Sequence, residues 1–176
     1  MRSSTVHEIK QELQNLKPAE ITGLCLRLAR FKKENKELLT YLLFEAQDEE
    51  GYIKIIKQEI EELFDSVNHS QLYFAKKTLR KILRVINKNS RYSGNKQTDI
   101  ELRIFFCQQL KTSGIPFRRN AALSNLYDGQ LKKITSVLTS LHEDLQHDYK
   151  KEVDLLEKEV EKKSGGLFGS RKKDKP

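Results

Sequence analysis

The sequence predicts an all-α protein of six to seven helices in stacked antiparallel pairs, with a long C-terminal helix. Apolar residues recur at helical spacing along almost all of its 176 residues. Interruptions are few, because the chain contains only 3 prolines and 8 glycines. No stretch keeps for long the two-residue alternation that is typical of a half-buried strand. These three observations together favour helices throughout the chain.

The first three helices are predicted before residue 48. The first extends from about Ser4 to Leu16, and the second begins at Pro18, since proline suits the first turn of a helix. The third spans about Glu34 to Gln47, and its apolar residues surround the helix nearly completely. A helix that is apolar on every side is typical of the centre of a bundle.

The next three helices are predicted between residues 49 and 114. The fourth spans about Glu49 to Val67 and has an acidic outer face. The fifth spans about Gln71 to Asn89, and the polar segment 87–96 after it is the clearest loop of the chain. The sixth begins near Thr98 and ends at a serine–glycine pair, which is typical of a helix C-terminus.

The last helix is predicted to be the longest, from about Gln130 to Lys163. At 1.5 Å per residue it would be about 50 Å long, which exceeds the diameter expected for the rest of the chain. Either its far end projects and pairs with another chain, or it breaks near His147, where the apolar spacing is interrupted. We therefore expect a helical domain at 1–146, an extension at 147–163 that can form a coiled coil, and a flexible basic tail at 164–176.

Two segments of the chain are similar to each other. The pattern of residues 33–44 resembles that of residues 96–106, and each follows a helix with leucine and arginine at similar positions. This pairing resembles helical-repeat scaffolds, such as a short HEAT-like solenoid. Two copies of a common leucine pattern also occur by chance in an ordinary helical bundle, so both architectures stay open.

The most informative feature for function is a basic segment. Residues 66–98 contain eight basic residues and no Asp or Glu, whereas the whole chain has a formal net charge of +8. A block of one charge sign attracts nucleic acid, anionic lipid or an acidic protein. Adsorption to a membrane is disfavoured, because the apolar side of the fifth helix is needed for the core.

On a helical wheel, the basic residues of the fifth helix share one side and the apolar residues share the other. Cations one turn apart can follow a phosphate backbone, and a tyrosine among them can stack on a base. In the alternative interpretation this is a solvated surface whose charge is balanced by acidic residues of the fourth helix. The predicted binding residues are Lys76, Lys77, Arg80, Lys81, Arg84, Lys88, Arg91 and Tyr73.

The sequence contains no catalytic or metal-binding motif. His142 and His147 are five residues apart, whereas a zinc helix needs histidines four apart on one side. The glycine-rich segment 165–169 lacks the lysine and the helix that complete a phosphate-binding loop. We therefore expect no enzyme activity, no cofactor and no metal.

The cellular compartment follows from the cysteines and from hydropathy. Cys25 and Cys107 have no metal-ligand spacing, which is typical of buried thiols in a reducing compartment. No apolar run approaches the about 20 residues that a membrane-spanning helix needs. We therefore expect a cytoplasmic protein without a transmembrane segment.

The C-terminal tail has two interpretations. An apolar pair precedes several basic residues, so the tail either docks in a groove as a short linear motif or is a solubilising end. The residues of the motif are Leu167, Phe168, Arg171, Lys172 and Lys173.

These patterns lead to two hypotheses for function. The leading one is a non-catalytic helical interaction or scaffold module that binds a protein partner, with an acidic partner as one option, through helix surfaces and charged faces. The alternative is a nucleic-acid-binding protein that uses the basic side of helix 71–89 and the loop after it. A homodimer through the C-terminal helix is a further expectation.

Overall fold

The computed structural model describes residues 2–69 and 71–164, with side chains up to residue 157, and these residues are helical with no strand. The all-α prediction is therefore confirmed. The chain divides into two compact units, the first ending at Gln47 and the second beginning at Asp48. The sequence patterns did not indicate this boundary. No helix in the described residues is both long enough and apolar enough to cross a membrane.

The first unit contains three helices and one π-helical turn. They are α1 (Val6–Gln14), α2 (Pro18–Phe31), α3 (Lys33–Thr40) and the π-helical turn (Tyr41–Glu45). Thr5 caps α1, because its hydroxyl accepts a hydrogen bond from the Glu8 backbone N–H. Pro18 is the first residue of α2, as predicted. Helices α2 and α3 pack against each other.

The prediction that a third helix lies at the centre of a bundle is wrong. Helix α3 ends at Thr40, and the next apolar residues belong to the π-helical turn. Leu42, Leu43 and Phe44 are 56%, 58% and 73% exposed. The reason is that α2 covers only one side of this segment, so the apolar residues of the turn that follows α3 remain in contact with solvent.

The second unit contains five α-helices. They are α4 (Glu49–Asp65), α5 (Leu72–Ser93), α6 (Lys96–Thr112), α7 (Ala121–Leu138) and α8 (Glu143–Ser164), with a 3-10 turn (Phe117–Arg119) before α7. Helix α6 packs against α4, α5, α7 and α8. Its residues Ile100, Leu102, Phe106, Cys107 and Leu110 are fully buried. The central helix of this unit is therefore α6.

The prediction of a loop at residues 87–96 is wrong for most of its length, because α5 continues to Ser93. Polar residues of this segment form contacts inside the second unit. Asn89 is buried, and its Oδ1 accepts a hydrogen bond of 2.9 Å from the Tyr52 hydroxyl of α4. Gly94 caps the C-terminus of the helix, and its φ of +66° is the left-handed conformation that glycine adopts most readily.

The prediction of one uninterrupted helix from Gln130 to Lys163 is also wrong, since the chain breaks between α7 and α8; a break was the alternative, but it lies before His147 and not near it. The Ser140 hydroxyl donates a hydrogen bond of 2.7 Å to the Val137 carbonyl, so a side chain satisfies one of the final carbonyls of α7. This division makes eight α-helices in the described residues instead of six to seven.

Helix α8 packs against α6 and α7. Val153 and Leu156 are 4% and 3% exposed, and the Tyr127 hydroxyl donates to the Leu156 carbonyl at 3.3 Å. These residues belong to the segment that was expected to project, so this part of it contributes to the core of the second unit. The five residues of the predicted tail motif lie outside the described residues.

Candidate functional site

Helix α5 carries the predicted binding residues, which we call the basic face. Arg91 belongs to the last turns of the helix and not to a loop, so all seven cations are on one regular helix. From Lys76 to Arg91 the helix rises about 22 Å at 1.5 Å per residue. The members of the basic face are Tyr73, Lys76, Lys77, Arg80, Lys81, Arg84, Lys88 and Arg91.

The opposite side of α5 holds the basic face in place. Ala75, Leu79, Ile82 and Ile86 have no exposed surface, and the helix packs against both α4 and α6. Burial of these side chains requires the polar side of α5 to point away from the core. The direction of the basic face is therefore determined by the apolar residues between its cations.

Glu59, Glu62 and Asp65, the acidic residues of α4 that were expected to balance the basic face, form no ion pair with its cations in the described residues. Glu59, Glu62 and Asp65 are exposed. In the described residues, no carboxylate forms an ion pair with Lys76, Lys77, Arg80, Lys81, Arg84 or Arg91. The lysine of α4 that does form an ion pair, Lys57, meets Glu101 of α6 at 2.9 Å. Charge on the basic face is therefore available to a partner.

An open groove of about 630 Å³ extends along the basic face. All of its lining residues belong to α5, so it is a surface depression and not an enclosed pocket. That shape suits an extended molecule with repeated negative charge better than a small molecule, which needs burial on several sides. The lining residues are Tyr73, Lys76, Lys77, Arg80, Leu83, Arg84 and Asn87.

Two aromatic rings mark the N-terminal end of this groove. Tyr73 is 76% exposed and lies edge-to-face against Phe74, with 5.4 Å between the ring centroids. Exposed aromatic rings beside cations can stack on nucleic-acid bases or pack against apolar side chains of a protein. Past Asn87, the last residue of α5 that lines the groove, the Lys88 ammonium lies 5.9 Å from the Tyr92 ring centroid.

A buried polar cluster supports the C-terminal part of the basic face, and the sequence analysis missed it. The guanidinium of Arg103 donates to Asn87 of α5 at 3.0 Å, to Asp99 of α6 at 3.0 Å and to Gln130 of α7 at 2.7 Å. Arg103 itself is only 6% exposed. The one sequence signal is the spacing of four residues between Asp99 and Arg103, which is also common on exposed helix surfaces.

A second cavity, which we call the corner pocket, lies where α5 ends and α6 begins. Its volume is about 510 Å³. Asn87 lines both this pocket and the groove on the basic face, so the two are adjacent. The lining residues are Asn87, Ser90, Arg91, Gly94, Asn95, Lys96, Asp99, Arg103 and Val137.

The titratable groups with shifted pKa values lie away from the basic face. Burial raises the pKa of the Cys107 thiol to about 12. Burial and the hydrogen bond that its hydroxyl donates to Glu101 raise the pKa of Tyr149 to about 12. Both groups are therefore neutral near pH 7, and neither is activated as a nucleophile or base.

The described residues contain no group of three or more histidine, cysteine, aspartate or glutamate side chains placed to hold a metal ion. His142 and His147 are both exposed, and His142 Nδ1 lies 3.3 Å from Asp144. These histidines are therefore placed on the surface and not in a pocket.

Compared with protein-family models, with curated proteins and with solved structures, the chain has no significant match.

Proposed function

We propose that this chain is a non-catalytic interaction module that binds a protein partner through exposed helix surfaces. The observation that carries the proposal is the apolar surface of the first unit. Of the 14 large apolar side chains that are exposed in the described residues, 10 precede Asp48. Single exposed apolar residues are ordinary, but a concentration of them is typical of interaction sites. The ten are Val6, Ile9, Leu13, Leu24, Leu26, Leu28, Phe31, Leu42, Leu43 and Phe44.

An apolar groove between α2 and α3 adds a specific docking position. Its volume is about 200 Å³, and Leu28, Leu38 and Leu42 are among its lining residues. The side chain of Asn35 joins the two helices by donating to the Leu28 carbonyl at 2.9 Å. A groove of this kind accommodates apolar side chains that one side of a partner helix presents every three or four residues.

The basic face contributes electrostatic attraction in this proposal. Cations on a rigid helix accelerate the association with an acidic partner and disfavour basic ones. Negative charge is therefore the character that we propose for the partner. We also retain the expectations of stacked antiparallel helix pairs and a cytoplasmic location as parts of this proposal.

Exchange of exposed apolar residues of the first unit tests the proposal. A partner captured from native extract after nuclease treatment is identified and purified, and its affinity is measured by calorimetry. Leu42→Ser with Phe44→Ser should weaken binding at least about tenfold, because both side chains are exposed and available to a partner. The matched control is Ile55→Ser on α4, since Ile55 is 55% exposed but lies outside the first unit. Equal affinity of all variants would count against the proposal.

The uninterrupted basic face favours a second candidate, binding of single-stranded nucleic acid. Lys76, Arg80 and Arg84 follow one another at intervals of four residues, about 6 Å along the helix axis. Tyr73 provides a stacking surface at one end of the groove that these cations line. Cations in a row with one aromatic ring are the elements that sequence-tolerant strand binding needs.

Salt dependence tests this candidate. On a single strand, each neutralised phosphate contributes about −0.7 to the slope of log K against log salt. The four cations that line the groove therefore predict a slope of about −2.8. Arg80→Gln with Arg84→Gln should reduce the magnitude of that slope by about 1.4. The matched control is Lys132→Gln with Lys133→Gln on α7, which removes the same charge elsewhere. Binding that does not change with salt would refute the candidate.

A further inference from the structure

The corner pocket differs from the groove because it has walls from three helices. Ser90 and Arg91 come from α5, Lys96 from the start of α6, and Val137 from α7. We propose that this pocket binds the terminal phosphate group of a nucleic-acid strand that lies along the basic face. The proposal rests on the second candidate function and extends it, since it assigns the pocket a ligand group that the groove does not select.

The hydroxyl of Ser90 is the first observation that points to a ligand. Ser90 is 9% exposed, and its Oγ has no hydrogen-bond partner in the described residues. A buried hydroxyl without a partner is unfavourable, and such groups in native proteins call for an explanation. A phosphate oxygen in the pocket would accept a hydrogen bond from this hydroxyl and remove the penalty.

The charge of the pocket is the second observation. Arg91 is exposed and has no ion pair with any described residue. The Lys96 ammonium donates to the Ser140 carbonyl at 3.0 Å, which holds this cation beside the pocket. The acidic residue of the lining, Asp99, lies 2.8 Å from the Arg103 guanidinium, so its charge is compensated. Two cations therefore remain for an anion.

The beginning of α6 strengthens the same preference. This helix has 17 residues, and Asn95 caps it by accepting a hydrogen bond of 2.9 Å from the Gln97 backbone N–H. The first N–H groups of a helix carry partial positive charge and attract phosphate groups. Together with Arg91 and Lys96, they place positive charge on more than one side of the pocket.

The position of the pocket favours the end of a strand over its middle. Asn87 lines both the groove and the corner pocket, so a strand on the basic face reaches the pocket directly. Val137 of α7 lines the pocket but not the groove, so a strand that enters the pocket meets a third helix there. A terminal phosphate monoester also carries more negative charge at neutral pH than a bridging diester, which suits two uncompensated cations.

Fluorescence anisotropy with the full chain tests the proposal. The probe is a short labelled oligothymidylate with a 5′-phosphate, with a 3′-phosphate or with hydroxyl groups at both ends. One phosphorylated form should bind about tenfold more tightly than the hydroxyl form, since hydrogen bonds to charged groups contribute on this scale. Ser90→Ala and Lys96→Gln should remove most of this preference. The control Lys132→Gln should retain it, and Ser90→Ala should fold because it removes an unpartnered group.

The possible outcomes separate this proposal from the candidate on which it rests. If all three oligonucleotides bind equally, the corner pocket does not select a terminal phosphate, and nucleic-acid binding by the basic face still stands. If none binds, the nucleic-acid candidate fails and this proposal fails with it. If a phosphoserine peptide binds in place of the oligonucleotides and depends on Ser90, the ligand class proposed here is wrong.

Discussion

Replacing Arg103 with methionine should destabilise the second unit, because this side chain joins three helices from inside. Its guanidinium donates to side chains of α5, α6 and α7, and it is also ion-paired with Asp99 at 2.8 Å. Methionine has a similar length but no donor. The variant would therefore leave Asn87, Asp99 and Gln130 without this donor.

The magnitude follows from the burial of the partners. Removing one member of a buried ion pair costs about 3–5 kcal/mol, because the other charge stays uncompensated. The Asp99 side chain is 20% exposed, so water can partly solvate it and the effect falls at the lower end. We expect Arg103→Met to lower the free energy of unfolding by about 3 kcal/mol, a large part of the 5–15 kcal/mol that is typical of a domain.

Urea unfolding followed by circular dichroism measures this change. The control is Arg119→Met in the 3-10 turn, whose exposed side chain should contribute less than about 0.5 kcal/mol. Adding Asp99→Asn to Arg103→Met should recover about 1 kcal/mol or more, since it removes the uncompensated charge. A loss below about 1 kcal/mol for Arg103→Met, or an equal loss for the control, would refute the role assigned to the buried cluster.

Three further predictions concern single residues of the chain. Gly94→Ala should lower the free energy of unfolding by about 1 kcal/mol, because Gly94 has a φ of +66°. Gly129→Ala inside α7 should raise it by about 0.5–1 kcal/mol, because a Cβ there meets nothing within 4 Å, and chemical denaturation compares the two variants. The pKa of Tyr149 is raised from 10.0 to about 12, so between these pH values the phenol is neutral in the folded protein and ionised in the unfolded one. Stability should therefore fall between about pH 10 and 12, and Tyr149→Phe should show a smaller fall. Ellman's reagent at pH 8 should label the half-buried Cys25 well before Cys107, whose burial raises its pKa to about 12; equal rates would contradict this.

The basic face was predictable from the sequence because it depends on local geometry. Lys76, Arg80 and Arg84 are separated by one turn, and the leucines and isoleucines between them fall on the other side of any regular helix. The structure adds that Glu59, Glu62 and Asp65 of α4 form no ion pair with these three cations in the described residues. That absence depends on how α4 and α5 are oriented, which no local pattern contains.

The ends of helices were less predictable, because their partners come from distant parts of the chain. Residues 87–93 look like a loop in sequence, but Asn89 bonds Tyr52, which lies 37 residues earlier. The break after Leu138 was expected further along, near His147, because the apolar spacing continues through the segment where the chain leaves the helix. Periodicity reports which side of a helix is apolar and says little about where the helix stops.

The sequence by itself determined the fold class, the one-sided charge of α5 and the absence of a local catalytic motif, since each depends on residues within one or two helical turns. Tertiary structure decided that α6 is the central helix, that Val153 and Leu156 contribute to the core, and that Ser90 and Lys96 share a pocket. These features require contacts between residues far apart in the chain. Such contacts depend on how helices pack around a shared core, and the spacing of residues along one helix does not specify that packing.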